Sequence, residues 1–265
     1  MEFNLMRLLA EYQEANKEAA LITVISSENV KNCTTGAMML IDENGGILAG
    51  GIGNEIFQQK AVEQGKICIR RGLSRKSSIS VEKDTVEIFV SAFCNEDHLI
   101  IVGAGTVAQT LYKLARILGY RITIIDHRAE MLTKERFPDA YELLLGDIPK
   151  NLKACTITEN TNIVIATHHH EFDEQALQTV ISSSARYIGV LGNSRRVAGY
   201  FNNLKPLNLS NNLLERVYSP IGLDLGGKKT TEIALAVMAE IQAAKYQRTG
   251  GYIKDKEYKK EGVLV

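Results

Sequence analysis

The hydrophobic positions of this chain change rhythm partway along it. Between Phe3 and Glu18, the residues Phe3, Leu5, Leu8, Leu9, Tyr12 and Ala15 fall on roughly one face at helical spacing. Leu21 to Ser26 is a short β-branched run and reads as a strand. Ala37 to Ile41 and Gly46 to Ala49 flank the polar turn Asp42-Glu43-Asn44-Gly45, the pattern of a hairpin. Asn54 to Gln64 has helical spacing and Thr85 to Val90 has strand character. The polar stretch Ala92 to Asp97 is expected to link this small α+β unit to the remainder of the chain.

From His98 onward, strand-like and helix-like runs alternate: His98–Val102, Val107–Leu118, Arg121–Asp126, Tyr141–Leu145, Asn162–Thr167, Glu174–Ser182 and Arg186–Leu191. Such alternation predicts a parallel sheet with crossover helices. Leu99-Ile100-Ile101-Val102 and Ile122-Thr123-Ile124-Ile125 are apolar without alternation, as strands covered on both faces should be. A last long helix is expected from Thr231 to Tyr246, with Ile233, Val237 and Ile241 on one side. The predicted class is α/β. A parallel-sheet domain over residues 96–248 is preceded by a smaller α+β domain over 1–95 and followed by a polar tail over 249–265.

One loop gives the second domain a chemical character. Gly103-Ala104-Gly105-Thr106-Val107-Ala108 follows a predicted strand, opens a predicted helix and fits G-x-G-x-x-G/A, with Ala108 in the third place. In a Rossmann-like domain the first glycine permits the tight turn, the second lets backbone approach a phosphate, and the third small residue lets the helix lie against the sheet. The helix start then offers unpaired N–H donors to an anion. Asp126 ends the second strand about 20 residues further on, where a carboxylate would accept a ribose hydroxyl. The loop is expected to hold a phosphate-bearing, nucleotide-like ligand; the alternative is a fold whose loop stays empty. Gly222-Leu223-Asp224-Leu225-Gly226-Gly227-Lys228-Lys229 approaches the triphosphatase pattern G-x-x-x-x-G-K-[ST]. It has Lys229 where Ser or Thr should bind magnesium, and coil precedes it, so that chemistry is not expected.

Composition narrows the partners. Among 265 residues, 45% are hydrophobic, enough for an ordinary core, and the 23% that are charged cancel to a net +0. No broad field favours nucleic acid or an anionic membrane, which leaves small ligands and protein partners. Cys33, Cys68, Cys94 and Cys155 are scattered without a C-x-x-C pair, so neither a disulfide framework nor a thiolate zinc site is expected. No basic segment leads into an apolar run, and the apolar runs fall short of the ~18 to 20 residues that span a bilayer. A cytoplasmic protein is the expectation.

Several further residues are candidates with two readings each. His168, His169 and His170 follow a predicted strand; in an extended chain His168 and His170 would face one way and His169 the other. They can be a metal site, or a polar rim at the carboxyl end of the sheet beside Glu171 and Asp173. Asn193, Ser194, Arg195 and Arg196 follow another strand, and arginines there either clamp phosphate through forked donors or pair with surface carboxylates. Arg128, two residues beyond Asp126, either reaches a phosphate or is a solvated loop charge. Ser219–Gly227, with Gly222 and its one carboxylate Asp224, is either a ligand-facing loop or a tight connection built of small residues. Cys33 is either a thiolate involved in sulfur or metal handling or a small buried apolar residue.

Four segments resemble the XdhC/CoxI family of accessory proteins for molybdenum hydroxylases such as xanthine dehydrogenase. They are Leu99–Ala108, Asp126–Arg136 with Phe137-Pro138-Asp139-Ala140, Tyr187–Arg196, and Ser219-Pro220-Ile221-Gly222-Leu223-Asp224-Leu225-Gly226 followed by Thr231-Glu232-Ile233-Ala234 and Ala239-Glu240-Ile241. Gly36-Ala37-Met38 and Gly50-Gly51-Ile52-Gly53 with Glu55 are similar to motifs of the family's first half. This chain departs from the family pattern in four places. Asn32 and Cys33 stand where Pro-Arg is common, the glycine turn shrinks to Gly53-Asn54, and Thr106 stands where His is usual. Thr167-His168-His169-His170-Glu171-Phe172-Asp173 stands for T-H-D-H-E-x-D. The resemblance implies a chaperone that binds the molybdenum cofactor, supports its sulfuration by a cysteine desulfurase and passes it to an apo molybdenum hydroxylase. The candidate binding residues are Gly103, Ala104, Gly105, Thr106, Val107, Asp126, Arg128, His168, His170, Asn193, Ser194, Arg195, Gly222 and Asp224, with none assigned a catalytic role. The alternative is an NAD(P)-dependent oxidoreductase using the same loop. A homodimer is the expected assembly, since symmetric dimers are the commonest soluble oligomers.

Overall fold

In the computed structural model, which describes residues 2–15, 17–28, 30–192, 199–200 and 211–255, the chain divides into two units, Met1–Asn95 and Glu96–Val265. In the first unit the elements are α1 (Glu2–Glu14), β1 (Ala19–Glu28), β2 (Met38–Asp42), β3 (Ile47–Gly50), α2 (Glu55–Arg71), β4 (Arg75–Val81) and β5 (Asp84–Phe93). The strands form one antiparallel sheet in the order β3-β2-β1-β5-β4. Alternation along β1 explains how the sheet is covered. Ala20, Ile22 and Val24 pack with Phe57, Ala61 and Cys68 of α2, while Ala19 and Leu21 meet Leu5 and Leu9 of α1.

Two of the expected boundaries in this unit shift. Asn54 is the N-cap of α2, its side chain accepting from the N–H groups of Ile56 and Phe57. The helix then runs past Gln64 to Arg71 and ends on Gly72 in the left-handed conformation. Ala92 and Phe93, expected in the linker, complete β5. The strand β4 has no counterpart among the expected elements, because it lies at the sheet edge and buries only Ile79, leaving no apolar pattern to read. Cys33 and Cys68 are buried in the apolar core of this unit.

The second unit contains β6 (His98–Val102), α3 (Thr106–Ile117), β7 (Arg121–Asp126), β8 (Glu142–Leu145), α4 (Ile148–Ala154), β9 (Thr161–Ile165), α5 (His170–Val180), β10 (Tyr187–Val190), α6 (Asn211–Glu215), β11 (Val217–Tyr218) and α7 (Thr230–Lys245). Its six strands are all parallel, in the order β11-β10-β9-β6-β7-β8. Every residue of β6 and β9 is buried. Leu99 and Ile101 pack toward α3 and α7, and Ile100 and Val102 toward α4 and α5, so the uninterrupted apolar runs reflect a sheet covered on both faces.

The strand order fixes where a ligand can enter. From β6 the chain steps outward through β7 to β8, then crosses back to place β9 on the other side of β6. At such a reversal the connections leave the carboxyl ends of two adjacent strands in opposite directions and open a crevice between them. The glycine loop follows β6, and the histidine run follows β9.

Candidate functional site

The glycine loop is held from several directions. Gly103 has φ of +110°, and its N–H donates to the Ile125 carbonyl at 2.7 Å. A Cβ there would lie 2.4 Å from the Ala166 carbonyl oxygen, so the segment leaving β9 presses directly on this residue. Ala104 is buried. Its N–H donates to Asp126 Oδ2 at 2.6 Å, and its carbonyl accepts from Arg136 Nη2 at 3.0 Å. Gly105 is the N-cap of α3, and no side chain caps the helix.

Beyond that point the backbone is open. The N–H groups of Gly105, Thr106 and Val107 have no acceptor among the described residues, and Gln109 is the first to bond back, to the Gly105 carbonyl at 3.0 Å. A Cβ on Gly105 would meet nothing within 4 Å. Unsatisfied first-turn donors at the positive end of a helix dipole suit an oxyanion.

Asp126 is buried at the end of β7, 1% exposed, with both carboxylate oxygens engaged. Oδ1 accepts from the Arg128 N–H (2.9 Å) and Nε (3.0 Å), and Oδ2 from Arg128 Nη2 (2.8 Å) and the Ala104 N–H. Burial alone would raise its pKa. The hydrogen bonds from Arg128 and Ala104 outweigh that and hold it below the usual carboxylate range, so it is ionised at neutral pH. The same pairing raises the pKa of Arg128.

An aromatic rim stands next to this pair. His127 follows Asp126, with Nδ1 3.5 Å from Asp126 Oδ1. Its ring lies 4.6 Å from that of Phe172 and 6.2 Å from that of His169, centroid to centroid. The residues after β7 and those after β9 therefore meet at the carboxyl end of the sheet. Asp173 braces the β9 side, accepting from the Thr167 N–H (3.1 Å) and Oγ1 (2.6 Å).

The candidates from the sequence fall into groups. Gly103, Ala104, Gly105, Thr106, Val107, Asp126 and Arg128 come together at one corner. The histidine run does not stay extended, which was the condition for His168 and His170 to face one way. The strand stops at Ile165, His169 is the N-cap of α5, and His170 is its first residue. His168 is exposed, with its ring 6.3 Å from that of His169. Among the described residues, no group of three or more His, Cys, Asp or Glu is placed to hold a metal ion.

Gly222 packs on the middle of α7, where its N–H donates to Glu240 Oε2 at 2.9 Å and a Cβ would meet Ala236. Asp224 is exposed and accepts from the Gly226 N–H at 3.3 Å. No hydrogen bond among the described residues ties either one to the glycine loop. The Lys228 and Lys229 amides both donate to Glu232 Oε2 at 2.9 Å, so that stretch spends its donors on its own helix. Asn193, Ser194, Arg195 and Arg196 lie outside the described residues. Three residues not singled out from the sequence, His127, Arg136 and Phe172, line or brace the corner. His127 was the most accessible of them, since it directly follows a strand end at the sheet's reversal.

A parallel sheet in this strand order, with an open glycine loop after its first strand, defines a Rossmann-type domain. Residues 99–241 match the XdhC Rossmann domain, and residues 12–80 match the XdhC and CoxI family. The chain belongs to the XdhC/CoxI family. It is 25% identical over 260 residues to the uncharacterized protein YqeB of Escherichia coli (strain K12), covering 94% of this chain and 47% of that protein. It is 29% identical over 157 residues to a probable xanthine dehydrogenase subunit of Bacillus subtilis (strain 168), covering 59% of this chain and 46% of that protein. The chain thus spans about half the length of these curated relatives. The crystal structure of a protein described as a xanthine dehydrogenase from Bacillus halodurans shares the fold, with a TM-score of 0.54 and 18% identity over 95% of this chain and 98% of that one.

Proposed function

We propose that this protein is an accessory chaperone that carries the molybdenum cofactor as cargo. It supports sulfuration of that cargo by a cysteine desulfurase and its insertion into an apo molybdenum hydroxylase of the xanthine dehydrogenase type, working in the cytoplasm as a homodimer. The observation that carries this reading is the set of unengaged amides at Gly105, Thr106 and Val107, facing space that a Cβ on Gly105 would enter freely. They suit the terminal phosphate of the cargo. The rings of His127, His169 and Phe172 offer faces on which a planar heterocycle can stack. Membership of the XdhC/CoxI family supports the choice of cargo.

The test is direct binding. Extracted molybdenum cofactor, NAD and NADP are added to separate samples of the full chain, and the bound fraction is measured, with molybdenum read by elemental analysis. The cofactor is expected to bind, and Gly105→Val to lose most of that binding while melting like the parent protein, because the new side chain fills the phosphate's approach. Tight dinucleotide binding with none of the cofactor would replace the chaperone reading with an NAD(P)-dependent oxidoreductase.

A further inference from the structure

In a Rossmann-type crevice the carboxylate ending the second strand ordinarily faces the ligand and accepts hydrogen bonds from a ribose diol. Here that residue is Asp126, and it is sealed. It is 1% exposed, and a bidentate Arg128 fork and the Ala104 N–H cover its oxygens. A ribose reaching for Asp126 would have to displace a guanidinium from a buried carboxylate. Separating such a pair is costly because the carboxylate loses its counter-charge in a low-dielectric setting.

A second guanidinium reaches the same corner. Ala104 is bound at its N–H by the carboxylate that holds Arg128, and at its carbonyl by Arg136. Two guanidinium groups are therefore joined to the glycine loop through a single residue, immediately before the open amides. Arg128 presents its remaining Nη1, which donates to no protein acceptor among the described residues.

We propose that the Asp126–Arg128 pair is the specificity element of the crevice. It closes the ribose position, so that the loop takes a compact phosphate or diphosphate group and rejects the adenine–ribose half of a nicotinamide dinucleotide. This rests on the reading of the loop as a phosphate site. Asp126 then acts as a positioning residue, fixing the Ala104 amide and the Arg128 fork, and does not touch the ligand.

Titration calorimetry of the full chain with inorganic pyrophosphate, NADH and NADPH tests it. Pyrophosphate should bind the parent protein at least tenfold more tightly than either dinucleotide, and Gly105→Val should abolish that binding. Arg128→Ala uncovers a lone pair on each Asp126 oxygen. It should raise NADH affinity about tenfold, the scale of one hydrogen bond to a charged group, while weakening pyrophosphate. Arg128→Lys, which keeps the charge without the fork, should fall between the two and serves if the alanine variant is unstable. NADH or NADPH binding as tight as pyrophosphate, or an unmoved ratio in both Arg128 variants, overturns the specificity claim alone. Pyrophosphate that fails to bind, or that binds Gly105→Val unchanged, overturns the phosphate reading of the loop beneath it.

Discussion

Gly103 and Gly105 stand two positions apart in one loop, yet a methyl group added to each meets opposite surroundings. At Gly103 the backbone is left-handed and the Ala166 carbonyl oxygen would be 2.4 Å from the new carbon; at Gly105 φ is −72° and the space is empty. Gly103→Ala is expected to destabilise the fold by roughly 2 kcal/mol or more, and Gly105→Ala by less than about 0.5 kcal/mol. Urea unfolding of both variants checks this, and equal losses would contradict it. His98 carries a second residue-scale prediction. Burial first, and then the charge of Arg121, push its pKa down from 6.5 to about 4. The folded state therefore binds the proton less readily than the unfolded chain. This contribution is intact above pH 6.5 and is lost as the pH falls from 6.5 towards 4, by up to about 3 kcal/mol. In His98→Asn the loss of stability over that window should shrink; an unchanged pH slope would show that other groups cause it.

At the scale of elements, capping decides more than periodicity. Asn54 satisfies two amides of α2 and also donates to the Lys31 carbonyl at 3.4 Å. Asn54→Ala should cost about 1 kcal/mol, read as a lower melting temperature. The helix itself was legible because its apolar residues recur at helical spacing, β6 and β7 because strands buried on both faces read as unbroken apolar runs, and the glycine loop because its glycines directly follow β6. Two of the short elements left none. The helix α4 has seven residues and only Ile148 and Leu152 buried, and β11 has two residues. The site was half legible for a related reason. Gly103 to Val107 and Asp126 are marked by local spacing, whereas Arg136 and Phe172 reach the corner through turns that bring distant residues together. The sealing of Asp126 needed Arg128 to fold back on it, which neither residue announces alone.

At the scale of the molecule, the two units keep separate apolar cores, one built on the antiparallel sheet and one on the parallel sheet. The open amides of Gly105, Thr106 and Val107 and the guanidinium groups of Arg128 and Arg136 all belong to the second. A chain of residues 96–255 is therefore expected to unfold cooperatively on its own and to bind pyrophosphate within about threefold of the full chain, since none of the proposed contacts lies outside it. Calorimetry on that fragment decides the matter; loss of binding in a folded fragment would contradict it. No helix among the described residues is long and apolar enough to cross a membrane.

On the proposed reading of the loop, the double tether on Ala104 also bears on how fast a guest would come and go. A peptide gripped at its N–H by Asp126 and at its carbonyl by Arg136 has its shape set before anything arrives. Capture then requires little rearrangement, and dwell time depends on how many donors must let go. For a carrier, release to the next protein becomes a matter of competing grips rather than of a loop swinging open.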